Sequence, residues 1–389
     1  PAGVVMAFGQ ETKGRTMALK VGVVGMGSIG NRHADCHAAD ELAELVAVCD
    51  VLEKPADDAA ERLGVPAYYS LDDMLDAHPD LDVVDVTTGG NENGSWHYEP
   101  VMEALSADKH VLVEKPISND IEEAREMVAF AAAKDLYLGC NLNHYFTEPA
   151  EKAMQAVKDG KIGEQVFCLH RMGFPGGDIT YKRQNAPRSE AFPYFHVKAF
   201  LAHPFSIMRY FCGDITHIQA FMSKPSFRKA SNDLMVSVNS IHVQFANGCI
   251  GYLFSQRGDA TMGLGGWWSV EVGGTKGTFC IENCVEKYSY FPAPGTEGAA
   301  KPEKLGVGAA PPPEVYNTGE TDFSSTFPRR IHAYLEDVTN GVPKHLLRSS
   351  GRDALATLEY TFAAIESFEE GGVLVRPASL PPIKRDPRA

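Results

Sequence analysis

The stretch "ALKVGVVGMGSIG" (residues 18–30) decides how the first part of the chain folds. Its apolar first half predicts a strand that ends in glycine, and residues 28–39 predict a helix. Gly25, Gly27 and Gly30 form a G-x-G-x-x-G turn between the two, with Ser28 and Ile29 opening the helix. The first glycine permits a tight turn, the second lets a pyrophosphate approach the backbone, and the third lets helix and strand pack closely. The helix N-terminus then faces the anion, so the pattern predicts a dinucleotide site.

An acidic residue indicates which dinucleotide is bound. The second predicted strand, "ELVAVCD" (44–50), ends in Asp50, 20 residues beyond Gly30, where the ribose hydroxyls of a bound dinucleotide would lie. A carboxylate accepts hydrogen bonds from two hydroxyls and repels a 2′-phosphate. The sequence therefore predicts NAD and disfavours NADP, with Lys54 nearby as the one opposing feature.

Strands and helices alternate through residues 19–145, and the strands are too apolar for a sheet with one face in water. This rhythm predicts an α/β Rossmann domain with a doubly wound parallel sheet. The further predicted elements are helices at 55–63, 70–75, 96–107 and 119–134, and strands at 82–88, 110–115 and 136–141. Residues 1–18 are predicted to be a disordered extension before this NAD-binding domain.

The pattern changes after residue 145, where many segments alternate apolar and polar residues with period two. Residues 146–389 are therefore predicted to form an α+β domain with an open, largely antiparallel sheet, used for substrate binding and oligomerisation. Its predicted strands are 164–172, 215–222, 234–246, 249–256, 267–273, 276–282 and 285–291, with a turn at 246–248 and a last strand at 372–377. Its predicted helices are 148–159, 194–212, 325–339 and 350–369, and residues 292–322 predict a long loop.

Composition excludes several classes of partner. The net charge is −15, which argues against nucleic acid because phosphate binding needs a basic surface. No apolar run approaches the length of a membrane span, and the first residues do not resemble a signal peptide. The eight scattered cysteines include no C-x-x-C pair, which favours reduced thiols and a cytoplasmic protein. No metal site is predicted, although His33 and His37 have a compatible spacing.

Polar side chains follow several predicted strands. Ligands of open α/β sheets lie beyond the carboxyl ends of the strands, so these residues are candidate contacts. They are Thr87, Thr88, Glu114, Lys115 and Asn141. From spacing alone, Lys115 in "HVLVEKPIS" (110–118) is equally well interpreted as a solvated lysine paired with Glu114. Pro116 favours a functional lysine, because proline holds the preceding residue in an extended conformation.

The glycine turn, the E-K-P motif at 114–116 and the mixed second domain together resemble the Gfo/Idh/MocA oxidoreductase family over residues 19–377. "GGTKGTFCIEN" (273–283) resembles a strand of that family's second domain. The resemblance implies NAD(P)-linked oxidation or reduction of a secondary alcohol on a sugar or cyclitol. It also implies that Lys115 contacts both the substrate oxygen and the cofactor. A lysine there can hold the oxygen and stabilise a developing alkoxide.

The segment 191–214 resembles the family's active-site helix, which carries D-x-x-x-H. His203 matches the catalytic histidine, but Ala199 occupies the position of the acid. A neutral histidine can accept the hydroxyl proton, and Lys115 is the alternative base if its pKa is lowered. His196 and Lys198 are candidates to replace the acid and to contact substrate, although each is also consistent with a structural role.

Weaker candidates surround this helix. His144, in "CNLNHYFTEP" (140–149), stands where relatives commonly carry arginine, and it is a candidate substrate contact together with Arg171. The loop at 174–190 is a further candidate for the substrate entrance. "TTGGNENGSWH" (87–97) is longer than the family's T-P-N-x-x-H. The pair Trp267–Trp268 is consistent either with stacking on a sugar or with packing of the sheet.

These features predict an NAD-dependent oxidoreductase that interconverts a ring secondary alcohol and a ketone on a sugar, glycoside or cyclitol. Lys115 and His203 are expected at the reacting oxygen, and the open sheet face is expected to pair in a dimer or larger homo-oligomer. Two alternatives remain at this point. One is a glycosidase or transhydrogenase-type enzyme that retains NAD through transient C3 oxidation, and the other is an NAD-binding sensor without catalytic activity.

Overall fold

A computed structural model describes residues 18–382, except 91, 174–192, 225–235, 258–259, 264–265 and 297–311. The predicted N-terminal extension, apart from Ala18, and the whole loop at 174–190 lie outside the described residues. Within the described residues, no helix is both long and apolar enough to cross a membrane.

The first sheet contains six strands, all paired in parallel, in the order β3-β2-β1-β4-β5-β6. They are β1 (Leu19–Val24), β2 (Ala43–Cys49), β3 (Ala67–Tyr68), β4 (Val83–Val86), β5 (His110–Val113) and β6 (Leu138–Cys140). The strand order reverses between β1 and β4, which opens a crevice at their carboxyl ends. This confirms the predicted doubly wound parallel sheet.

Five helices connect these strands: α1 (Ser28–Ala39), α2 (Glu53–Leu63), α3 (Leu71–Ala77), α4 (Tyr98–Ser106) and α5 (Ile121–Ala133). Side chains cap some of them, since Ser70 accepts from the backbone of Asp73 at the start of α3, and Asp120 caps α5. By contrast, Gly27 provides no side-chain cap for α1. The first amides of α1 are therefore available to a ligand.

The second sheet has eight strands in the order β14-β13-β12-β11-β7-β10-β9-β8, and every pair is antiparallel except β7–β10. The strands are β7 (Gln165–Gly173), β8 (Ile215–Ser223), β9 (Val238–Phe245), β10 (Ile250–Gln256), β11 (Trp268–Gly274), β12 (Gly277–Glu282), β13 (Lys287–Pro292) and β14 (Glu314–Asn317). The open, largely antiparallel sheet is confirmed, with the predicted turn between β9 and β10. β14 falls inside the predicted long loop, because its four residues are all exposed and carry no buried apolar pattern.

The remaining helices are α6 (Glu148–Lys158), α7 (Phe195–Phe200), α8 (Ala202–Cys212), α9 (Thr326–Thr339) and α10 (Gly351–Glu369). The single helix predicted over 194–212 is interrupted at Leu201. Pro204 explains the break, because it has no N–H to donate to the carbonyl of Phe200. The predicted strand at 372–377 is reduced to one bridge between Val375 and Ile218.

The last two helices return to the first sheet. The buried guanidinium of Arg330, on α9, donates to the carbonyl oxygens of Cys140 and Ser349. Gly139, on β6, forms a bridge with Ser350 directly before α10. The carboxyl ends of the parallel strands consequently face elements from the later part of the chain, and the candidate site lies between them.

Candidate active site

The glycine turn leaves an open cradle above α1. Gly25 has φ of +95°, and a Cβ there would lie 2.8 Å from the backbone nitrogen of Thr88. A Cβ on Gly30 would lie 1.8 Å from the carbonyl oxygen of Gly25. Both glycines are therefore required by packing. Gly27 differs, because a Cβ added there would have no described atom within 4 Å. That open space beside an uncapped helix N-terminus suits a pyrophosphate.

Asp50 is attached to the same turn. Its Oδ2 accepts from the backbone N–H of Met26 at 2.7 Å, and its Oδ1 accepts from that of Leu52 at 2.9 Å. The side chains of Val51 and Leu52, directly after it, are exposed. The carboxylate is thus held at the edge of the cradle, where ribose hydroxyls would reach it.

Thr87 and Thr88 brace the turn from β4. The Thr87 hydroxyl donates to the carbonyl oxygen of Gly25 at 2.7 Å, and the Thr88 hydroxyl donates to that of Trp96 at 2.6 Å. The His97 ring connects this loop to the E-K-P motif, with its nitrogens 2.6 Å from the Thr88 carbonyl oxygen and 2.9 Å from that of Pro116. These contacts fix the shape of the cradle.

Beneath the cradle lies a buried charged cluster, formed by His33, His37, Asp85, Glu114 and Asn141. Asp85 Oδ2 lies 2.8 Å from Nδ1 of His33 and 2.7 Å from Nε2 of His37, while Nε2 of His33 lies 3.0 Å from Glu114. Although burial opposes the charge, the two carboxylates raise the pKa of His33 to about 10. The same contacts lower the pKa values of Asp85 and Glu114 against their burial. Among the described residues, no group of His, Cys, Asp or Glu is arranged to hold a metal ion.

The cluster fixes the backbone at Lys115 rather than its ammonium group. Glu114 accepts from the side-chain amide of Asn141 and from the backbone N–H of Lys115, the latter at 3.0 Å. The Lys115 Nζ instead donates to the carbonyl oxygen of Ala199 at 3.3 Å and lies 5.2 Å from the Phe200 ring centroid. Burial lowers the pKa of Lys115, while the charge of Glu114 acts in the opposite direction.

A second group of histidines faces Lys115 from the later part of the chain. The rings of His144 and His203 are stacked, with centroids 3.7 Å apart and planes 9° apart. The indole N–H of the fully buried Trp268 donates to Nδ1 of His144 at 3.0 Å. Burial lowers the pKa values of both His144 and His203 well below the ordinary histidine value, and nearby imidazoles and Lys115 add to the effect. His203 is consequently a neutral imidazole beside a lysine.

The other predicted substrate contacts are placed differently. His196 is buried and packs 4.7 Å from the Phe200 ring. Lys198 pairs with the buried carboxylate of Glu92 at 3.1 Å, which connects α7 to the loop after β4. Arg171 alternates along β7 with the buried His170, so it lies on the opposite face of the second sheet. The structure thus brings together Lys115, His144 and His203, whereas His196 packs on Phe200 and Arg171 is not brought to this group.

Comparison with known proteins identifies both parts of the chain. Residues 19–142 match the oxidoreductase family with an NAD-binding Rossmann fold, and residues 150–280 match the Gfo/Idh/MocA C-terminal domain. The chain belongs to the Gfo/Idh/MocA oxidoreductase family. It is an NAD-binding enzyme of the oxidoreductase class, as predicted.

Individual members of the Gfo/Idh/MocA family resemble the chain over different shares of its length. Myo-inositol 2-dehydrogenase from Thermotoga maritima is 26% identical over 90% of this chain and 97% of its own. D-glucoside 3-dehydrogenase from Escherichia coli is 31% identical over 43% of this chain and 48% of its own. The structure of levoglucosan dehydrogenase with NADH and levoglucosan superposes with a TM-score of 0.75 at 18% identity, covering 93% of this chain and 100% of that one. The last similarity shows the shared fold.

Sequence reasoning missed parts of this Gfo/Idh/MocA site. Arg257, directly after β10, lies 4.3 Å from the Phe200 ring and lowers the pKa of Lys115. A cation at the end of the apolar strand "GYLFSQR" is the signal that could have indicated it. The sequence leaves the role of Trp268 open, and the structure shows it packed inside the sheet with its N–H on His144. Nothing in the local sequence predicts that pairing across 124 residues.

Proposed function

We propose that this protein interconverts a secondary alcohol and a ketone on the ring of a sugar, glycoside or cyclitol, using NAD. One observation carries the proposal: the ammonium of Lys115, directly after β5, contacts the carbonyl oxygen of Ala199 and lies close enough to the neutral imidazole of His203, on α8, to lower its pKa. An ammonium group and a proton acceptor at one place suit removal of a hydroxyl proton during oxidation.

The residues for NAD form one continuous surface. Gly25, Gly27 and Gly30 provide the cradle with the N-terminus of α1, where Ser28 and Ile29 are exposed, and Asp50 takes the ribose hydroxyls. Thr87, Thr88, Glu114, Lys115 and Asn141 are proposed to bound the nicotinamide end, at the carboxyl ends of β4, β5 and β6. NAD, when bound, accepts a hydride from the substrate carbon or, as NADH, returns it.

Each of the two reacting side chains has a separate task. The ammonium of Lys115 holds the substrate oxygen and stabilises the negative charge that develops on it. His203 accepts the hydroxyl proton in oxidation and returns it in reduction, which requires the imidazole to be neutral beforehand. The lowered pKa of His203 meets that requirement. Each contribution is expected to be worth roughly 10²–10⁴ in rate.

The substrate class rests on relatives and on the walls of the cleft. The resembling enzymes are named for inositol, D-glucosides and levoglucosan, which are cyclic polyols. His196 is proposed to contact such a ring, and Lys198 to act at its margin, whereas Arg171 lies on the opposite face of the second sheet. Aromatic side chains beside them, including Trp267, Phe323 and Phe200, suit the apolar face of a sugar ring.

The proposal is tested by absorbance at 340 nm on purified protein with NAD and a panel of inositols, aldoses and glycosides. A rise for the wild type that Lys115→Ala and His203→Ala lose is the expected result. NAD released only on denaturation, with a glycoside cleaved or a second sugar reduced, would instead establish a retained cofactor. Tight binding of NADH with no chemistry on any substrate would favour a sensor.

We also propose that the open face of the second sheet pairs with another copy of the chain in the cytoplasm. Leu169 on β7 and Ile250 on the neighbouring β10 are both more than 40% exposed, and exposed apolar side chains on one sheet face are typical of an interaction surface. All eight cysteines are free thiols, consistent with a reducing compartment. Light scattering should give at least a dimer for the wild type and a smaller species for Leu169→Glu. A monomeric wild type would contradict this pairing.

A further inference from the structure

At the position of the acid expected four residues before His203, the chain offers only a backbone carbonyl oxygen. Ala199 has no carboxylate, and its carbonyl oxygen accepts from the ammonium of Lys115 at 3.3 Å. The buried Nδ1 of His203 has no hydrogen-bond partner among the described residues. A catalytic imidazole normally has its second nitrogen held by an acceptor that fixes both the ring and its tautomer. Something other than a hydrogen bond must therefore orient this ring.

The ring of His144 performs that task by stacking. Its plane lies 9° from that of His203 and its centroid 3.7 Å away, which is full face-to-face contact. His144 lies in a short helical turn at Asn143–Tyr145, directly after the strand that ends at Cys140. The stacking residue therefore comes from the first sheet's margin, whereas His203 belongs to α8. Their contact joins the cofactor side of the cleft to the helix that carries the proton acceptor.

His144 is itself held in one tautomer. The indole nitrogen of Trp268 can only donate, and it lies 3.0 Å from Nδ1 of His144, so the proton of a neutral His144 must be on Nε2. Trp268 is fully buried and meets the ring of His170 edge-on at 4.9 Å, and Nδ1 of His170 lies 2.7 Å from the carbonyl oxygen of Ser269. Phe323 meets the His144 ring edge-on at 4.9 Å. His144 is thus supported by a column of packed rings, formed by Trp268, His170 and Phe323, which contains no carboxylate.

We propose that His144 is the positioning residue of His203, taking over from the absent acid by stacking instead of hydrogen bonding, so that the proton acceptor is oriented without a neighbouring negative charge. The proposal deepens the function proposed above and rests on it for its kinetic consequences. The Trp268 N–H supports the same orientation indirectly, because it fixes the tautomer of His144.

The groups that face His203 make this arrangement different from an acid–histidine pair. They are Lys115 from β5 and His144 from the turn after β6, with His170 behind His144, and none of them carries a negative charge. A carboxylate would raise the pKa of the imidazole, whereas these neighbours and burial lower it. His203 thus remains neutral through the physiological range.

The kinetic test introduces an acid at position 199, where the family's D-x-x-x-H pattern has one. Ala199→Asp should raise the pKa of His203 and introduce an acid limb into the pH profile of kcat/KM for oxidation, near or above the ordinary histidine value of about 6.5. Ala199→Asn is the matched control, with nearly the same shape and no charge, and should keep the wild-type profile without that limb. An unchanged profile in a folded Ala199→Asp protein would overturn the proposal.

Variants of the column separate positioning from packing. His144→Ala should lower kcat by about 10–100-fold with little change in KM for the polyol, because a displaced acceptor costs rate rather than affinity. His144→Phe keeps a ring on His203 and should recover most of that loss. Trp268→Phe keeps the packing but removes the N–H, and its kcat should lie between those of the wild type and His144→Ala. A rise in KM alone for His144→Ala would assign His144 to substrate binding and contradict the positioning role.

A measurement that needs no substrate still tests the proposal if a variant fails to fold or if the proposed function is wrong. Long-range ¹H–¹⁵N spectra of histidine-labelled wild type, assigned with His144→Gln and His203→Gln, report tautomer and titration directly. The expected result is a His203 that stays neutral well below the ordinary histidine pKa of about 6.5, and a His144 with its proton on Nε2. A His203 that titrates at that ordinary value, or a His144 protonated on Nδ1, would overturn the proposal. If the spectra agree but no polyol reduces NAD, the proposed function fails and the ring arrangement stands.

Discussion

Two groups of buried histidines lie beside the residues that follow β5. In the first group, His33 lies between the carboxylates of Asp85 and Glu114, His37 contacts Asp85, and the pKa of His33 rises to about 10. In the second group, His144 and His203 are stacked near Lys115, and both pKa values fall. Burial alone would lower the pKa of all three of these titrating rings, so the neighbouring charges decide the sign of the net shift.

The comparison separates a structural use of histidine from a chemical one. An imidazolium between two carboxylates is saturated with partners and has no proton acceptor to offer. A neutral ring that has no carboxylate beside it keeps a nitrogen free to accept a proton. In the sequence, the histidines of both groups lie on helices or turns. Only the charges that face each ring in the structure distinguish the two groups. The following variants test that division, from the largest expected effect to the smallest.

Lys115→Ala removes the cation that faces the second group. We expect kcat/KM for polyol oxidation to fall by about 10³-fold or more, since both oxygen positioning and alkoxide stabilisation are lost. NADH affinity should change much less, as measured by fluorescence titration. Lys109→Ala, at the other end of the same strand, is the matched control and should keep full activity. Equal losses in the two variants would contradict a local role for Lys115.

His33→Gln breaks the first group and should act on stability rather than on the pH profile of the reaction. Leaving Asp85 and Glu114 buried beside a neutral side chain should cost about 3–5 kcal/mol in the free energy of unfolding at low pH, where the imidazolium is fully formed. The folded pKa of His33 exceeds its unfolded value, so its stabilising effect is complete below about 6.5 and is lost as the pH rises to about 10.

Urea unfolding of His33→Gln and wild type, on either side of neutral pH, measures this effect. The difference between the two proteins should shrink as the pH rises. His345→Gln, on an exposed turn, serves as the control and should match the wild type at both pH values. A difference that grows with pH would mean that His33 is neutral in the folded protein, and the contrast between the two histidine groups would disappear.

Gly27→Ala tests whether the start of α1, the helix that carries His33, is a cofactor surface. The added Cβ meets no described atom, so the melting temperature should hardly change. NADH affinity should fall by about 10-fold or more, because the methyl group occupies the space for the pyrophosphate. Gly30→Ala is the contrasting variant and should fail to fold stably, since its Cβ would overlap the Gly25 carbonyl oxygen. Unchanged affinity in Gly27→Ala would place the cofactor elsewhere.

Asp50→Asn should have the smallest effect. Asparagine keeps one acceptor oxygen, and exchanging a charged acceptor for a neutral one costs about 1 kcal/mol, so NAD affinity should fall by roughly 5-fold and the preference for NAD over NADP should narrow. Fluorescence titration with NADH and NADPH measures both quantities. Asp57→Asn, an exposed carboxylate on α2, is the control. A preference that stays the same in Asp50→Asn would remove Asp50 from cofactor selection.

The sequence predicts the first domain well because its signals are local. The glycine turn, the acid after β2 and the strand-end lysine each lie within a few residues of the element that positions them. Parallel strands then bring their ends together by rule, which is why Thr87, Glu114 and Asn141 are predictable at one edge of the sheet. The alternation of the second domain likewise predicts an open sheet from local period-two patterns.

The support of the active site is not predictable in the same way. The stack of His144 on His203 joins residues on separate elements far apart in the chain, and the Trp268 contact spans 124 positions. No local periodicity encodes such pairs. The sequence directs the search for a substitute for the missing acid to His196 and Lys198, because they share a predicted helix with His203. Pro204 interrupts that helix, and Lys198 pairs with Glu92 instead.

The most direct test of the account is to follow the hydrogen of the ring carbon. Wild-type protein would be mixed with NAD and the active polyol carrying deuterium at its ring carbons, and the cofactor extracted after one turnover would be weighed by mass spectrometry. We predict a single deuterium on the nicotinamide, with none transferred by Lys115→Ala in the same time. The readout applies to net oxidation, because a retained cofactor that is reoxidised within the same turnover would pass the deuterium on to the product. Conversion of the polyol to a ketone with no deuterium on the cofactor would contradict hydride transfer and the function proposed for this site.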